Sequence, residues 1–136
     1  MKYVLDTNAV SALMRADAEA LGWLRGVARS DVAVPGPVVA EIAYGLARLP
    51  RSKKRRALEA RWELFASELP RAAWTDEVSL AFGKIKASLE KRGRAIEDFD
   101  VANAAHALAH DATLVSTDRK HMPRVAGLVV EAWPAE

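Results

Sequence analysis

The first ten residues, MKYVLDTNAV (residues 1–10), decide the fold because an apolar run passes directly into the start of a helix. The run from Lys2 to Leu5 predicts a short buried strand that ends at Asp6. Thr7 and Asn8 are residue types that cap helices, and the apolar side chains between Val10 and Met14 continue in helical spacing. A strand followed at once by a helix is typical of the first unit of an α/β chain.

The same alternation continues along the rest of the chain. Apolar runs bounded by polar residues predict further strands at 31–34, 72–74, 113–116 and 128–130. Stretches with helical periodicity predict helices at 18–28, 37–50, 53–68, 76–91 and 98–111. We therefore expect one domain over residues 1–136, a three-layer α/β/α structure with a central, mainly parallel sheet of four to five strands.

Composition excludes several classes of protein. The chain has 136 residues, of which 51% are hydrophobic and 28% charged, a balance typical of a soluble globular domain. It has no cysteine, which excludes disulfides, thiolate zinc sites and a cysteine nucleophile. The longest apolar runs are too short for a membrane span, and Asp6 interrupts the stretch where a signal peptide would lie. We expect a cytoplasmic protein that does not associate with membranes.

Acidic residues follow the predicted strands or begin the predicted helices at Asp6, Glu41, Asp100 and Asp118. In a parallel sheet, ligands bind beyond the carboxyl ends of the strands, so these side chains are expected near one edge. Two unit charges 4 Å apart repel by about 1 kcal/mol in water, and by more when partly buried. Mg²⁺, or Mn²⁺ in its place, relieves such repulsion and prefers oxygen ligands. The pattern indicates a metal-dependent phosphodiesterase.

Each acid also has a simpler explanation when taken alone. Asp6 and Asp118 are suited to cap the helical turns that follow them. Asp100 suits the first turn of a helix, where the helix dipole favours a negative charge. Glu41 suits a solvated helix face, and Asp98 is close enough to Asp100 to compete with it as the ligand. Only a fold that brings the acids together would favour the site over these separate explanations.

Other chemistries receive less support from the sequence. His106, His110 and His121 do not have the spacing of a zinc site, and surface or packed histidines are expected. There is no glycine-rich phosphate loop, so nucleotide triphosphate binding is unsupported. A phosphatase of the haloacid type needs a second aspartate two residues after Asp6, where this chain has Asn8.

Basic residues cluster between residues 48 and 61, in the stretch RLPRSKKRRALEAR, although the net charge is only +2. One explanation is the solvated face of an amphipathic helix. The other is a phosphate-facing patch that contributes salt-dependent affinity for nucleic acid. The candidate RNA-contacting residues are Arg51, Lys53, Lys54, Arg55 and Arg56.

Four short motifs in this order resemble those of PIN-domain ribonucleases, and in particular the VapC toxins of type II toxin–antitoxin systems. They are LDTN at 5–8, EIAYG at 41–45, DFD at 98–100 followed by AAHA at 104–107, and LVSTD at 114–118. Each motif is weak alone, but the ordered set is specific, and the resemblance covers essentially the whole chain.

The resemblance implies that Asp6, Glu41, Asp100 and Asp118 are the catalytic and metal-binding acids. Asp100 is preferred to Asp98 because its distance to the alanine pair at 104–105 resembles the family spacing. Asn8 and Ser116 match supporting polar positions that orient a ligand or water. Asn103 stands where such toxins commonly have an apolar residue, and it is expected to face the cleft.

The resemblance also implies Mg²⁺-dependent endonucleolytic cleavage of RNA, a homodimer, and inhibition by a VapB-like antitoxin. An antitoxin arginine would suit an anionic cleft because it can replace the charge of the metal. The alternative hypothesis is a non-catalytic RNA- or protein-binding α/β module that keeps the acids as a vestigial cation site.

Overall fold

The computed structural model describes residues 1–118 and 120–133, so the last residues of the predicted domain lie outside the described part. Strands and helices alternate along it. The strands are β1 (Tyr3–Leu5), β2 (Val32–Pro35), β3 (Arg71–Ala72), β4 (Thr113–Val115) and β5 (Val130–Glu131). The α-helices are α1 (Thr7–Met14), α2 (Ala18–Arg25), α3 (Gly36–Ala47), α4 (Lys53–Glu68), α5 (Asp76–Lys91) and α6 (Asp98–Ala109). Short 3-10 turns cover Arg29–Asp31 and Met122–Arg124.

The five strands form one sheet in the order β3-β2-β1-β4-β5, and every neighbouring pair is parallel. The first strand of the chain is therefore the central strand. It pairs with β2 on one side and with β4 on the other, where Leu5 is opposite Val115. The prediction of a central, mainly parallel sheet of four to five strands is confirmed.

The two faces of the sheet pack against different helices. Leu5 and Val115 belong to a core formed with α1 to α4. Val4 and Leu114, the neighbouring residues on the same strands, instead pack with Ala107 of α6. This is the alternation expected of strands covered on both faces, and it gives the predicted three layers. Within residues 1–118 and 120–133, no helix combines the length and apolar character needed to cross a membrane.

The edge strands differ most from the sequence-based boundaries. The strand predicted at 72–74 is Arg71–Ala72, and Trp74 instead lies half-exposed with its indole N–H donated to Ser79 of α5. The final strand predicted at 128–130 is Val130–Glu131. Strands of two residues are too short to show a period of two, which explains why their limits are hard to predict.

Candidate carboxylate site

Asp6 lies where β1 passes into α1, and its side chain is almost completely buried, with 5% exposed. Its Oδ1 accepts a hydrogen bond from the backbone N–H of Ala9 at 2.8 Å, so it caps α1. Burial raises the pKa of Asp6 from 3.8 to about 6. Hydrogen bonds from Ser116 and Ala9 oppose that rise, and the nearby charges of Asp100 and Asp118 add to it.

Asp100 occupies the first turn of α6 and is half-buried. Its pKa is raised by burial first, and then by the negative charges of Glu41 and Asp118. Asp98, in contrast, is exposed, and its Oδ1 lies 3.0 Å from Nζ of Lys86. The structure thus places Asp100 among the other acids and pairs Asp98 with a lysine on α5.

Glu41 projects from α3 toward the start of α1. Its Oε1 accepts a hydrogen bond from the hydroxyl of Thr7 at 2.5 Å. Both residues border a largely apolar groove of about 330 Å³ between α1, α3 and α4, which Lys54 also lines. The Thr7 contact holds the Glu41 carboxylate near the amino end of α1, on the same side of the sheet edge as Asp6.

Asp118 follows β4 in a turn that its own side chain organises. Its carboxylate accepts hydrogen bonds from the backbone N–H groups of Lys120 at 3.0 Å and His121 at 2.9 Å, and lies 3.1 Å from Nδ1 of His121. Burial acts to raise the pKa of Asp118, but the hydrogen bonds from His121 and Lys120 outweigh it and lower the pKa. The carboxylate therefore remains charged beside Asp6 and Asp100.

His121 is the residue at this site that the sequence analysis missed, since all three histidines were expected to be ordinary surface or packed residues. The available signal was its position three residues after Asp118, the spacing at which a capping aspartate meets a backbone N–H. His121 also lines a polar cleft of about 500 Å³ with Asp98 and Asp100. It is therefore placed between a site carboxylate and the largest polar opening among those described.

A family model described as PIN domain matches residues 3–128, which is most of the chain. This protein is a PIN domain. Ribonuclease VapC2 of Rickettsia felis is 30% identical to it over 135 residues, which cover 98% of each protein.

Solved structures support the assignment of this chain to the PIN family. VapBC2 from Rickettsia felis, bound to a DNA fragment from their promoter, is 28% identical and superposes with a TM-score of 0.86, covering 98% of this chain and 99% of that one. FitAcB from Neisseria gonorrhoeae is 27% identical, with a TM-score of 0.76 and coverage of 94% and 95%. The resemblance to VapC proteins inferred from the ordered motifs is confirmed.

The donor set of this PIN domain suits a hard divalent cation, because it consists of carboxylates whose negative charges raise the pKa of Asp6 and of Asp100. The carboxylates do not form a coordination shell in this arrangement. Over the described ranges, there is no group of three or more His, Cys, Asp or Glu side chains that could hold a metal ion. Glu41 is bonded to Thr7 and Asp118 to His121. A carboxylate has about four lone-pair sites, so Glu41 and Asp118 can keep these protein donors and still bind a cation.

The acids also border more than one opening. Asp100 lines the polar cleft, whereas Glu41 lines the apolar groove. Asp6 is buried below the surface and does not line either of them. Within the described residues the four acids therefore do not line one shared opening, although the charges of neighbouring acids raise the pKa of Asp6 and of Asp100.

The two supporting polar residues predicted for the site differ in exposure. Ser116 is 1% exposed, forms a side-chain hydrogen bond with Asp6, and its Oγ accepts the backbone N–H of Asp118 at 3.0 Å. It therefore connects two of the acids. Asn8 is exposed in the first turn of α1. It is in a position to meet a ligand that approaches from solvent.

The basic stretch divides into exposed and anchored residues. Arg51, Lys53, Lys54 and Arg56 are exposed. Arg55 instead donates to the carbonyl oxygen of Leu49 at 2.8 Å and forms an ion pair with Glu59 at 3.5 Å. Arg55 therefore fixes the start of α4, and Lys54 is the member of the stretch that lines the same groove as Glu41.

Proposed function

We propose that this PIN domain is a Mg²⁺-dependent endoribonuclease and the toxin of a type II toxin–antitoxin pair. The observation that carries the proposal is that Asp6, Asp100 and Asp118 lie near the carboxyl ends of β1 and β4, where the charges of Asp100 and Asp118 raise the pKa of Asp6. Such repulsion is relieved by a divalent cation. The similarity to a protein named as a ribonuclease supports RNA as the substrate.

In this proposal Asp6, Glu41, Asp100 and Asp118 would hold Mg²⁺, or Mn²⁺ in its place. When bound, such an ion supplies a Lewis acid for the phosphate and lowers the pKa of a coordinated water. The protein positions the carboxylates: Ser116 orients Asp6, Thr7 orients Glu41, and His121 orients Asp118. Burial of Asp6 excludes bulk water from the floor of the site.

RNA would reach the site across positively charged surface. Arg51, Lys53, Lys54 and Arg56 are exposed, and Lys54 borders the groove that contains Glu41. Exposed lysine and arginine side chains attract phosphates without reading base sequence. The polar cleft beside Asp100 would admit the scissile phosphate.

A VapB-like antitoxin is the partner that we propose, because the similar solved structures are named as VapBC2 and FitAcB assemblies. Glu97 and Asp100 line the cleft and attract a cation, whereas Asp98 beside them is paired with Lys86. An antitoxin arginine entering it would form charge-assisted hydrogen bonds with these acids and exclude the metal. Neutral replacement of the antitoxin arginines should then restore cleavage in the mixed complex, and unchanged inhibition would contradict this mode.

We also propose a homodimer, which analytical ultracentrifugation of the free protein would test.

One observation favours a second function. Since no three acids of the described residues are grouped to hold a metal in this arrangement, the chain could be a non-catalytic RNA- or protein-binding module with a vestigial cation site. Calorimetric titration with Mn²⁺, combined with an RNA cleavage assay, separates the two functions. Metal binding without turnover would favour the module.

The deciding experiment uses purified, antitoxin-free protein and RNA in Mg²⁺ or in EDTA, followed by sequencing of the cut ends. We expect cleavage in Mg²⁺ and none in EDTA. Asp6→Asn should fold, because asparagine also caps helices, yet should not cleave. Cleavage by that variant at the parent rate would overturn the proposed function.

A further inference from the structure

Asn103 of α6 is a buried polar residue without a partner. Its side chain is 1% exposed, and neither Nδ2 nor Oδ1 has a hydrogen-bond partner among the described residues. A buried amide left in this state destabilises a protein, and replacing it by an apolar group of similar shape is neutral or stabilising. A group that binds beside Asn103 and pairs with its amide would remove this cost.

The packing of α6 on the sheet shows where Asn103 lies. Ala107 of α6 packs with Val4 of β1 and Leu114 of β4. Residues two apart on a strand share a face, so Asp6 lies on the same face as Val4, and Ser116 on the same face as Leu114.

The position of Asn103 along α6 can be compared with the positions of Asp6 and Ser116 along the strands. Asn103 is one helical turn before Ala107, toward the amino end of α6, a distance of about 6 Å. Asp6 and Ser116 are two residues beyond Val4 and Leu114, about 6.6 Å along the strands. These two distances are nearly equal. They also point the same way, because a short connection joins the carboxyl end of α6 to the amino end of β4, so the amino end of α6 lies toward the carboxyl end of β4. Asn103 thus lies beside Asp6 and Ser116, and one turn below Asp100.

We propose that Asn103 is a positioning residue of the carboxylate site, whose amide hydrogen-bonds the hydrated cation held by Asp6 and Asp100. The inference rests on the proposed function, since it assumes that these acids bind a divalent ion. The amide suits this role because its oxygen accepts from a water while its NH₂ group donates to a carboxylate. An apolar side chain at this position can do neither.

His106 offers the matched control. It is also completely buried on α6, and both of its ring nitrogens lack partners among the described residues. Its ring packs against Trp74, with ring centroids 5.2 Å apart, and against His110, at 6.1 Å, and neither of these residues belongs to the carboxylate site. A substitution there disturbs the packing of the same helix without removing a group from the carboxylate site.

The test measures Mn²⁺ binding by calorimetry and thermal stability with and without Mn²⁺, for the full chain and its Asn103→Leu and His106→Leu variants. We expect Asn103→Leu to keep or raise the metal-free melting temperature but to weaken Mn²⁺ binding by about tenfold or more, as loss of an outer hydrogen bond does at metal sites. The increase in melting temperature on adding Mn²⁺ should shrink in parallel. His106→Leu should leave Mn²⁺ affinity unchanged. Unchanged Mn²⁺ affinity in Asn103→Leu, or an equal loss in both variants, would overturn the proposal.

A second pair of variants covers the case in which leucine prevents folding. Asn103→Ser and Asn103→Ala have similar side-chain volumes, but only serine retains a donor and an acceptor. We expect tighter Mn²⁺ binding by Asn103→Ser than by Asn103→Ala, and equal affinities would overturn the proposal. Wild-type protein that binds Mn²⁺ without cleaving RNA would contradict only the proposed function. Wild-type protein that binds no Mn²⁺ would contradict both.

Discussion

Lys86 neutralises Asp98 across the gap between α5 and α6, with Nζ 3.0 Å from Oδ1, and Asp100 lies one half-turn further along α6 among the site acids. These two aspartates are close in sequence but face different partners. Asp100→Asn should therefore reduce Mg²⁺-dependent cleavage by about 100-fold or more, because a direct ligand matters at least as much as its supporting groups. Asp98→Asn is the matched control and should stay within about twofold of the parent.

The measurement is the initial rate of RNA cleavage at saturating Mg²⁺, with circular dichroism to show that both variants fold. Equal losses of cleavage rate in the two variants would mean that the total negative charge of the cleft, and not Asp100 as a ligand, causes the effect. A loss confined to Asp98→Asn would reverse our assignment.

Asp6 should make stability depend on pH in an unusual direction. Its pKa is raised from 3.8 to about 6, so the folded protein binds this proton more tightly than the unfolded chain. The charged carboxylate thus costs stability above pH 6, and the cost disappears as the pH falls toward 3.8. At 1.36 kcal/mol per pKa unit, Asp6→Asn should raise the free energy of unfolding at pH 8 by up to about 3 kcal/mol, and by little at pH 4.

Urea denaturation of the parent protein and of Asp6→Asn at pH 8 and pH 4, in EDTA, measures this difference in the free energy of unfolding. The titration of all other groups cancels when the two proteins are compared at the same pH. Asp17 supplies the control, because its side chain also caps a helix, accepting from Glu19 and Ala20, but it is exposed. Asp17→Asn should show no comparable gain at pH 8. A gain of the same size in both variants would attribute the effect to capping by asparagine.

His121 should matter for cleavage although it was not expected at the site. Its ring lies 3.1 Å from Asp118, and its backbone N–H donates to the same carboxylate. His121→Ala removes the ring contact but keeps the backbone donor, so we expect cleavage to fall by about 10- to 100-fold, most strongly at low Mg²⁺. His110→Ala is the control, since His110 contacts the carbonyl oxygen of Ala73 instead. A Mg²⁺ titration of the cleavage rate that superposes on the parent curve would exclude this role.

Lys54 is the basic residue whose removal should weaken RNA binding most clearly. It is exposed and lines the groove shared with Glu41 and Thr7. Losing one phosphate contact should reduce the slope of log affinity against log salt by about 0.7 for single-stranded RNA. Binding to a fluorescent RNA in EDTA at several salt concentrations measures the slope. Lys91→Ala, at the exposed end of α5, is the control, and an identical change there would indicate general charge attraction.

The sequence was sufficient for the alternation of strands and helices and for the positions of the acids, because both depend on local patterns. Asp6 follows a buried strand, and parallel pairing of β1 with β4 then brings it near Asp118. The contacts of His121 and Arg55 could not be predicted in this way. The ring of His121 meets Asp118 through the particular turn after β4, and Arg55 is fixed by a carbonyl oxygen at the preceding bend. Such contacts depend on loop geometry, which residue periodicity does not describe.

The central position of β1 has a consequence for how the protein is made. The ribosome synthesises β1 before any of the strands that pair with it, and its partner β4 follows only after α6. Until then, Asp6 has neither Ser116 nor Asp118 beside it, and a nascent chain that stops before these residues cannot complete the acid cluster. The order of synthesis therefore delays assembly of the cluster until β4 and the turn that follows it have left the ribosome.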